Sequence, residues 1–366
     1  MKLSSHMICA LAALISGCGS VTDTTLVSTA TGGMGGASAA STASGTGGGT
    51  ASSTASSTDA SSSTGATMSS SSGGMMTYDP NLDGPYTVAE LDDTTTVAST
   101  GHKEAIHCAY PTAGPSAGPF PVIVVGHGFQ LPPTQYASYL RRLASFGYVA
   151  LTADFPAGFL NVNNVENAKD FIGGLDWAAT SPKLGGKADA NTAGATGHSL
   201  GGKVALLAAT MDARIKASIT LDPVDGAMGC SPQNCPDVSN LMPTLAIPTG
   251  FIGETIDAKG AFQACAPAAN NYTTFYVGTK SPSLEVTALG ANHMSFLDDV
   301  ASCPLTCSFC NAASAPNAQV NAMAKALVVA FYERHLRGDA NYDTYLTGSE
   351  VTARYVATKQ ATITSK

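Results

Sequence analysis

The sequence predicts an α/β domain with a mostly parallel central sheet and helices on both faces. Three observations carry this. Short apolar, β-branched runs alternate along the chain with segments of helical periodicity. The run Gly197-His198-Ser199-Leu200-Gly201-Gly202 fits a G-x-S-x-G turn between a strand and a helix. The stretch from Tyr78 to Lys366, about 290 residues, suits one large domain of this class.

Each element follows from its residues. Pro121-Val122-Ile123-Val124-Val125, ending at Gly126, reads as a buried parallel strand. Tyr136 to Phe146 carries apolar residues at helical spacing, with Arg141 and Arg142 outward. Tyr148 to Thr152 is the next strand. Val165 to Thr180 is a helix holding the only tryptophan, Trp177. Asn191 to Thr196 is a small-residue, turn-prone run ahead of Ser199, and Lys203 to Ala209 is a helical run behind it. Ile215 to Leu221, Thr244 to Ile252 and Leu284 to Leu289 are further strands, and Gln319 to His335 is an amphipathic closing helix. In such a sheet, functional groups belong at the C-terminal ends of the strands. Ser199, Asp222 and His293 each fall just after a strand. No internal repeat is evident.

The N-terminal region has a different character. Lys2 and the apolar run Met7 to Ile15 read as an export signal too short to span a bilayer. Ile15-Ser16-Gly17-Cys18 resembles the lipobox of bacterial lipoproteins, which makes Cys18 the expected lipidation site. Residues 1–18 are then the signal. Residues 19–77, almost wholly Ser, Thr, Gly and Ala, form a disordered tether, because so few large apolar groups cannot offset the entropy of ordering. The folded domain spans 78–366, attached to a membrane through Cys18 and lying in the periplasm or at the cell surface. The net charge of −8 argues against nucleic acid as a partner.

Beyond Cys9 and Cys18 stand Cys108, Cys230, Cys235, Cys265, Cys303, Cys307 and Cys310. In an exported protein these point to disulfides, and their odd number leaves at least one free or paired between molecules. The C-x3-C-x2-C run from Cys303 to Cys310 would suggest an iron–sulfur site in another setting. Here Cys265 is a possible disulfide partner for it, and the connectivity stays open.

A serine hydroxyl is a weak nucleophile and needs a base, an orienting acid and an oxyanion site. Ser199 is the candidate nucleophile. His293 is the candidate base, as the histidine after the last predicted strand and the only one between Ser199 and the final helix. His198 reads as packing for the turn, and His127 belongs to the turn after the first strand. His335 sits on a solvated helix face, and His102 and His107 precede the sheet. Leu200 and Phe129 are the expected backbone N–H donors to an oxyanion. The Phe129 ring can also line an acyl pocket. No His/Asp/Glu group has metal-ligand spacing, so no metal or cofactor is expected.

Several further stretches resemble one family. Tyr110-Pro111-Thr112 and Phe120-Pro121-Val122-Ile123 lead into Gly126-His127-Gly128-Phe129. Leu143 to Val149 forms a helix–strand joint. To these are added Gly197 to Lys203, Leu221-Asp222-Pro223-Val224-Asp225-Gly226, Cys265-Ala266-Pro267, and His293-Met294 with Leu297-Asp298-Asp299. Together they resemble an α/β-hydrolase of the chlorophyllase type, a dienelactone-hydrolase-related group close to bacterial poly(ethylene terephthalate) hydrolases. The likeness covers nearly all of Gly84 to Asp339. Gly84 to Val88 is closer to the polyester hydrolases, and Arg337-Gly338-Asp339 closes a helix common in bacterial relatives. Leu200 replaces the arginine usual in chlorophyllases, and His198 the tryptophan common in polyester hydrolases.

The resemblance implies a serine carboxylic ester hydrolase working through an acyl-enzyme. It nominates Asp222 as the triad acid. The usual position of the fold, after the following strand, nominates Glu254 or Asp257 instead. Asp225 reads as a turn residue. A small-molecule or polymeric ester is the expected substrate. A lipase, thioesterase or peptidase of the same fold is the alternative, and a non-catalytic cell-surface binding protein is the alternative of another class.

Overall fold

Nine strands form one sheet in the order β1-β2-β4-β3-β5-β6-β7-β8-β9. They are β1 (Thr87–Thr96), β2 (Lys103–Ala113), β3 (Phe120–Gly126), β4 (Val149–Ala153), β5 (Ala188–Gly197), β6 (Ile215–Leu221), β7 (Thr249–Glu254), β8 (Ser283–Ala288) and β9 (Ala361–Ser365). The strands from β4 to β8 run parallel. Antiparallel β1, β2 and β9 flank them. This computed structural model describes residues 76–366 apart from 158–161, 227–229, 260–263 and 304. The expected signal over 1–18, the lipidation site Cys18, and the expected tether as far as residue 75 lie outside the described residues.

The predicted parallel sheet is present, with helices on both faces. β3 shows why: its side chains alternate between two cores. Ile123 and Val125 join one core with Ile219, Leu327 and Phe331. Val122 and Val124 join the other with Phe171, Leu206 and Phe275. All four are buried, so each contributes about 1.5–3 kcal/mol of transfer free energy. The first core lies under α1 (Ala137–Ser145) and α5 (Asn317–His335). The second lies under α2 (Asn164–Thr180), α3 (Leu200–Met211) and α4 (Tyr272–Gly278).

Several expectations are corrected. Asn191 to Thr196 is part of β5 rather than a turn. Its small residues serve a close approach: a Cβ on Gly194 would sit 2.4 Å from the Tyr332 ring of α5. Thr244 to Ile252 is not one strand. Val238–Thr244 is a 3₁₀ segment containing Pro243, and β7 starts only at Thr249, after Pro248. β1, β2 and β9 were not anticipated. β1 is a half-exposed edge strand, and the polar run Asp92 to Thr96 hides its alternation. His107 belongs to β2 rather than preceding the sheet. α5 is buried on most sides. His335 is half-buried against Phe331 at 4.5 Å rather than solvated, and burial pulls its pKa down to about 4.

Cys230 pairs with Cys235, Cys265 with Cys310, and Cys303 with Cys307, while Cys108 is free and buried in β2. Among the described residues, no helix is long and apolar enough to cross a membrane.

Candidate active site

The site forms where β3, β5, β6, β7 and β8 end. Ser199 stands between β5 and α3 with φ 57°, a conformation L-residues rarely adopt. Main-chain bonds pin this turn on both sides. His198 N–H donates to Gly126 O at 3.1 Å, and Ser199 N–H donates to Leu221 O at 3.0 Å. The motif glycines are required by crowding rather than by a positive φ. A Cβ on Gly197 would lie 2.2 Å from Gly201 O, and one on Gly201 would lie 2.2 Å from Gly126 O.

His293 opens a 3₁₀ turn after β8, and its ring is buried. Its Nε2 lies 2.8 Å from Ser199 Oγ, and its Nδ1 lies 2.6 Å from Asp222 Oδ2. With its proton on Nδ1, the ring donates to the carboxylate and leaves Nε2 to accept from the serine. Asp222 is fully buried directly after β6, with φ 42°. Burial holds its carboxyl above the ordinary value, against the pull of His293. Burial alone would lower the His293 pKa. The hydrogen bond and charge of Asp222, with the charges of Glu254 and Asp257 behind, more than offset this and raise it.

The two alternative acids are close by but do not face the ring nitrogen. Glu254 ends β7, and its carboxylate accepts from the N–H groups of Ile256 and Asp257. Burial, then the charge of Asp222, pushes its pKa up to about 7. Asp257 is fully buried, and its Oδ2 accepts from the main-chain N–H of His293 at 2.9 Å. The ligand atoms of Asp257, Cys265 and Cys310 lie within 4.8 Å of one another, but the two sulfurs are bonded to each other.

Leu200 is the first residue of α3, where an N–H has no acceptor within the helix. Phe129 is half-buried in the turn after β3. That turn is tied to the histidine loop by a chain of three hydrogen bonds. Gly128 N–H donates to Tyr136 Oη at 3.1 Å. Tyr136 Oη and His198 Nδ1 are 2.9 Å apart. His198 Nε2 lies 2.8 Å from the carbonyl oxygen of His293. The carbonyl can only accept, so Nε2 carries the proton and the tyrosine hydroxyl donates to Nδ1. Burial holds His198 well below its ordinary pKa, so the ring is neutral.

Two features escape the sequence reading. Tyr136 reads there only as the start of a helix. Asp225 reads as a turn residue, yet it is buried, 3.2 Å from Nζ of fully buried Lys203. Its carboxylate also accepts from the N–H groups of Val238 and Ser239. This ion pair ties α3 to the loop that carries Asp222. A lone lysine in the small, apolar stretch Gly201 to Ala209 was the available signal.

A family model described as chlorophyllase matches residues 81–356. Chlorophyllase-1 of Arabidopsis thaliana is 27% identical over 270 residues, covering 66% of this chain and 79% of that protein. Bis(hydroxyethyl) terephthalate hydrolase of Streptomyces coelicolor is 30% identical over 200 residues, 55% of this chain and 57% of that protein. Chlorophyllase-2 of Arabidopsis thaliana is 26% identical over 207 residues, 50% of this chain and 62% of that protein.

Proposed function

The chain belongs to the chlorophyllase family, and from that premise we propose that it cleaves esters through a Ser199–His293–Asp222 triad and an acyl-enzyme. The relatives named above are carboxylic ester hydrolases, and at that level so is this chain. The observation that carries the finer reading is the continuous contact from Ser199 Oγ through the His293 ring to Asp222, at 2.8 and 2.6 Å.

Ser199 Oγ attacks the ester carbonyl while His293 Nε2 takes its proton. The imidazolium that forms is stabilised by Asp222 at Nδ1. The N–H groups of Leu200 and Phe129 receive the tetrahedral oxyanion, a contribution of about 3–4 kcal/mol per donor in comparable sites. His293 returns the proton to the leaving alcohol. Water then attacks the acyl-enzyme by the same route.

A fluorophosphonate probe should label the full chain and fail to label Ser199→Ala. p-Nitrophenyl esters, a chlorophyll and bis(hydroxyethyl) terephthalate should be assayed beside matched thioesters and peptides. Hydrolysis of esters, with kcat about 10⁴-fold lower in Asp222→Asn, is expected. Absence of labelling in folded protein sinks the enzyme reading. Faster turnover of thioesters or peptides would replace the ester.

A further inference from the structure

Asp257 occupies the position after β7 where the fold usually keeps its acid, yet it serves His293 differently. Both carboxylate oxygens are engaged by main chain: Oδ2 accepts from His293 N–H at 2.9 Å and Oδ1 from Asn311 N–H at 2.8 Å. The Asn311 side chain reaches back to the carbonyl of Lys259 at 3.0 Å. Asn292, the neighbour of His293, donates from its side chain to the carbonyl of Asn311 at 2.6 Å. The Cys265–Cys310 disulfide joins the same two stretches covalently, with Ala266 N–H donating to Asp257 O at 3.2 Å. Glu254 caps the turn that presents Asp257.

We propose that Asp257 is a positioning residue for the base: it fixes His293 by its main chain, while Asp222 orients the ring. The proposal rests on the Ser199–His293–Asp222 reading. A 3₁₀ turn gives His293 little anchorage of its own, and a base misplaced by about 1 Å can cost about 100-fold in rate. A neutral side chain at 257 cannot satisfy both N–H groups, because an amide offers one acceptor oxygen and turns its own N–H groups toward the other donor. The charge of Asp257 also acts at the ring. The ionisable groups around His293 are Asp222, Glu254, Asp257 and the neutral His198 ring, 4.7 Å away between centroids. The Asp257 charge is among those that raise the His293 pKa, so its removal must lower it.

The test is steady-state kinetics on full-length Asp257→Asn, normalised to active sites counted by fluorophosphonate labelling. The expected result is kcat lower by about 10–100-fold with KM little changed. The acid limb of kcat/KM should move to lower pH, since that limb reports the free-enzyme histidine. Asp257→Glu, which keeps the charge and both acceptors, should retain the wild-type acid limb and recover part of kcat. It also decides the matter if Asp257→Asn does not fold. A kcat within twofold of wild type per active site overturns the proposal, and so does a loss as large as that of Asp222→Asn. An Asp257→Glu variant whose acid limb is shifted also overturns it. Failure of the triad reading would show separately, as Ser199→Ala or Asp222→Asn retaining activity.

Discussion

Ser199 and Asp222 are both non-glycine residues held at positive φ, and Gln130, beside Phe129, is a third. Each such residue stores about 1–3 kcal/mol that surrounding structure must sustain. The proposed nucleophile, Ser199, can therefore be removed in two ways with different effects on stability. Ser199→Ala keeps a Cβ in the strained conformation, whereas Ser199→Gly releases it. Ser199→Gly should be the more stable by about 1 kcal/mol in denaturant unfolding, after allowing for the greater freedom of glycine in the unfolded chain. Equal stability would mean that the turn is not strained. At this scale the sequence was informative about identity and poor about partners. G-x-S-x-G marks Ser199 through residues adjacent in the chain. Which of Asp222, Glu254 and Asp257 faces Nδ1 depends on how β6, β7 and β8 align, and no local pattern encodes that. Tyr136 and Asp225 were missed because their partners, His198 and Lys203, are distant along the chain.

Elements in the centre of the sheet were legible and those at its edges were not. A parallel strand buried on both faces writes a continuous apolar run, as Val122 to Val125 does. An edge strand such as β1 keeps one face and one margin in water, so its residues follow no strong pattern. Asn191 to Thr196 of β5 looks turn-prone because its small side chains satisfy the packing needs of α5 rather than strand propensity. The margin between β2 and α2 holds a second buried group. Glu104 is 1% exposed, and Asp170 of α2 lies against it, itself bonded to His102 Nδ1 at 2.8 Å. Among the described residues neither carboxylate oxygen of Glu104 has a hydrogen-bond partner, whereas a protonated Glu104 can donate to Asp170. Burial, then the charge of Asp170, pushes its pKa from the ordinary 4.5 to about 8. Between those values the folded state holds a proton that the unfolded state has released. Stability is therefore greatest at the acid end of that window and declines as pH rises through it. Glu104→Gln, which mimics the protonated form, should flatten the dependence of Tm on pH between about 5 and 8 and raise Tm at the alkaline end. An unchanged slope in a thermal scan series would exclude Glu104 as its source.

For the whole molecule, length and alternation of elements were enough to predict the α/β class, because those properties survive local misreading. Disulfide connectivity was not legible, since the spacing of Cys303, Cys307 and Cys310 is compatible with several pairings. Cys265–Cys310 closes the long loop, with a sequence separation of 45 residues, and the other two close short ones. On a chain-entropy basis a loop of that length stabilises by about 4 kcal/mol. A Cys265→Ser/Cys310→Ser double variant should thus lose about half of the stability that a reducing agent removes from the wild type, since the same relation gives each short loop about 2 kcal/mol. Cys303→Ser/Cys307→Ser should lose about half as much as that variant, about 2 kcal/mol. The comparison is read from urea midpoints, and the opposite ranking would contradict it.

The bridge from Gly128 through Tyr136 and His198 to His293 also bears on events during synthesis. Its members come from three separate stretches of chain, and the last is made well after the others. A chain emerging from the ribosome N-terminus first can fold its early strands and display Ser199 before residue 293 exists. Until then the proposed nucleophile lacks its proposed base, and His198 has no carbonyl of His293 to hold. Under the proposed mechanism, reactivity is thus switched on late, by the arrival of one loop. On that mechanism, a nascent or truncated chain ending before His293 would carry an inert serine.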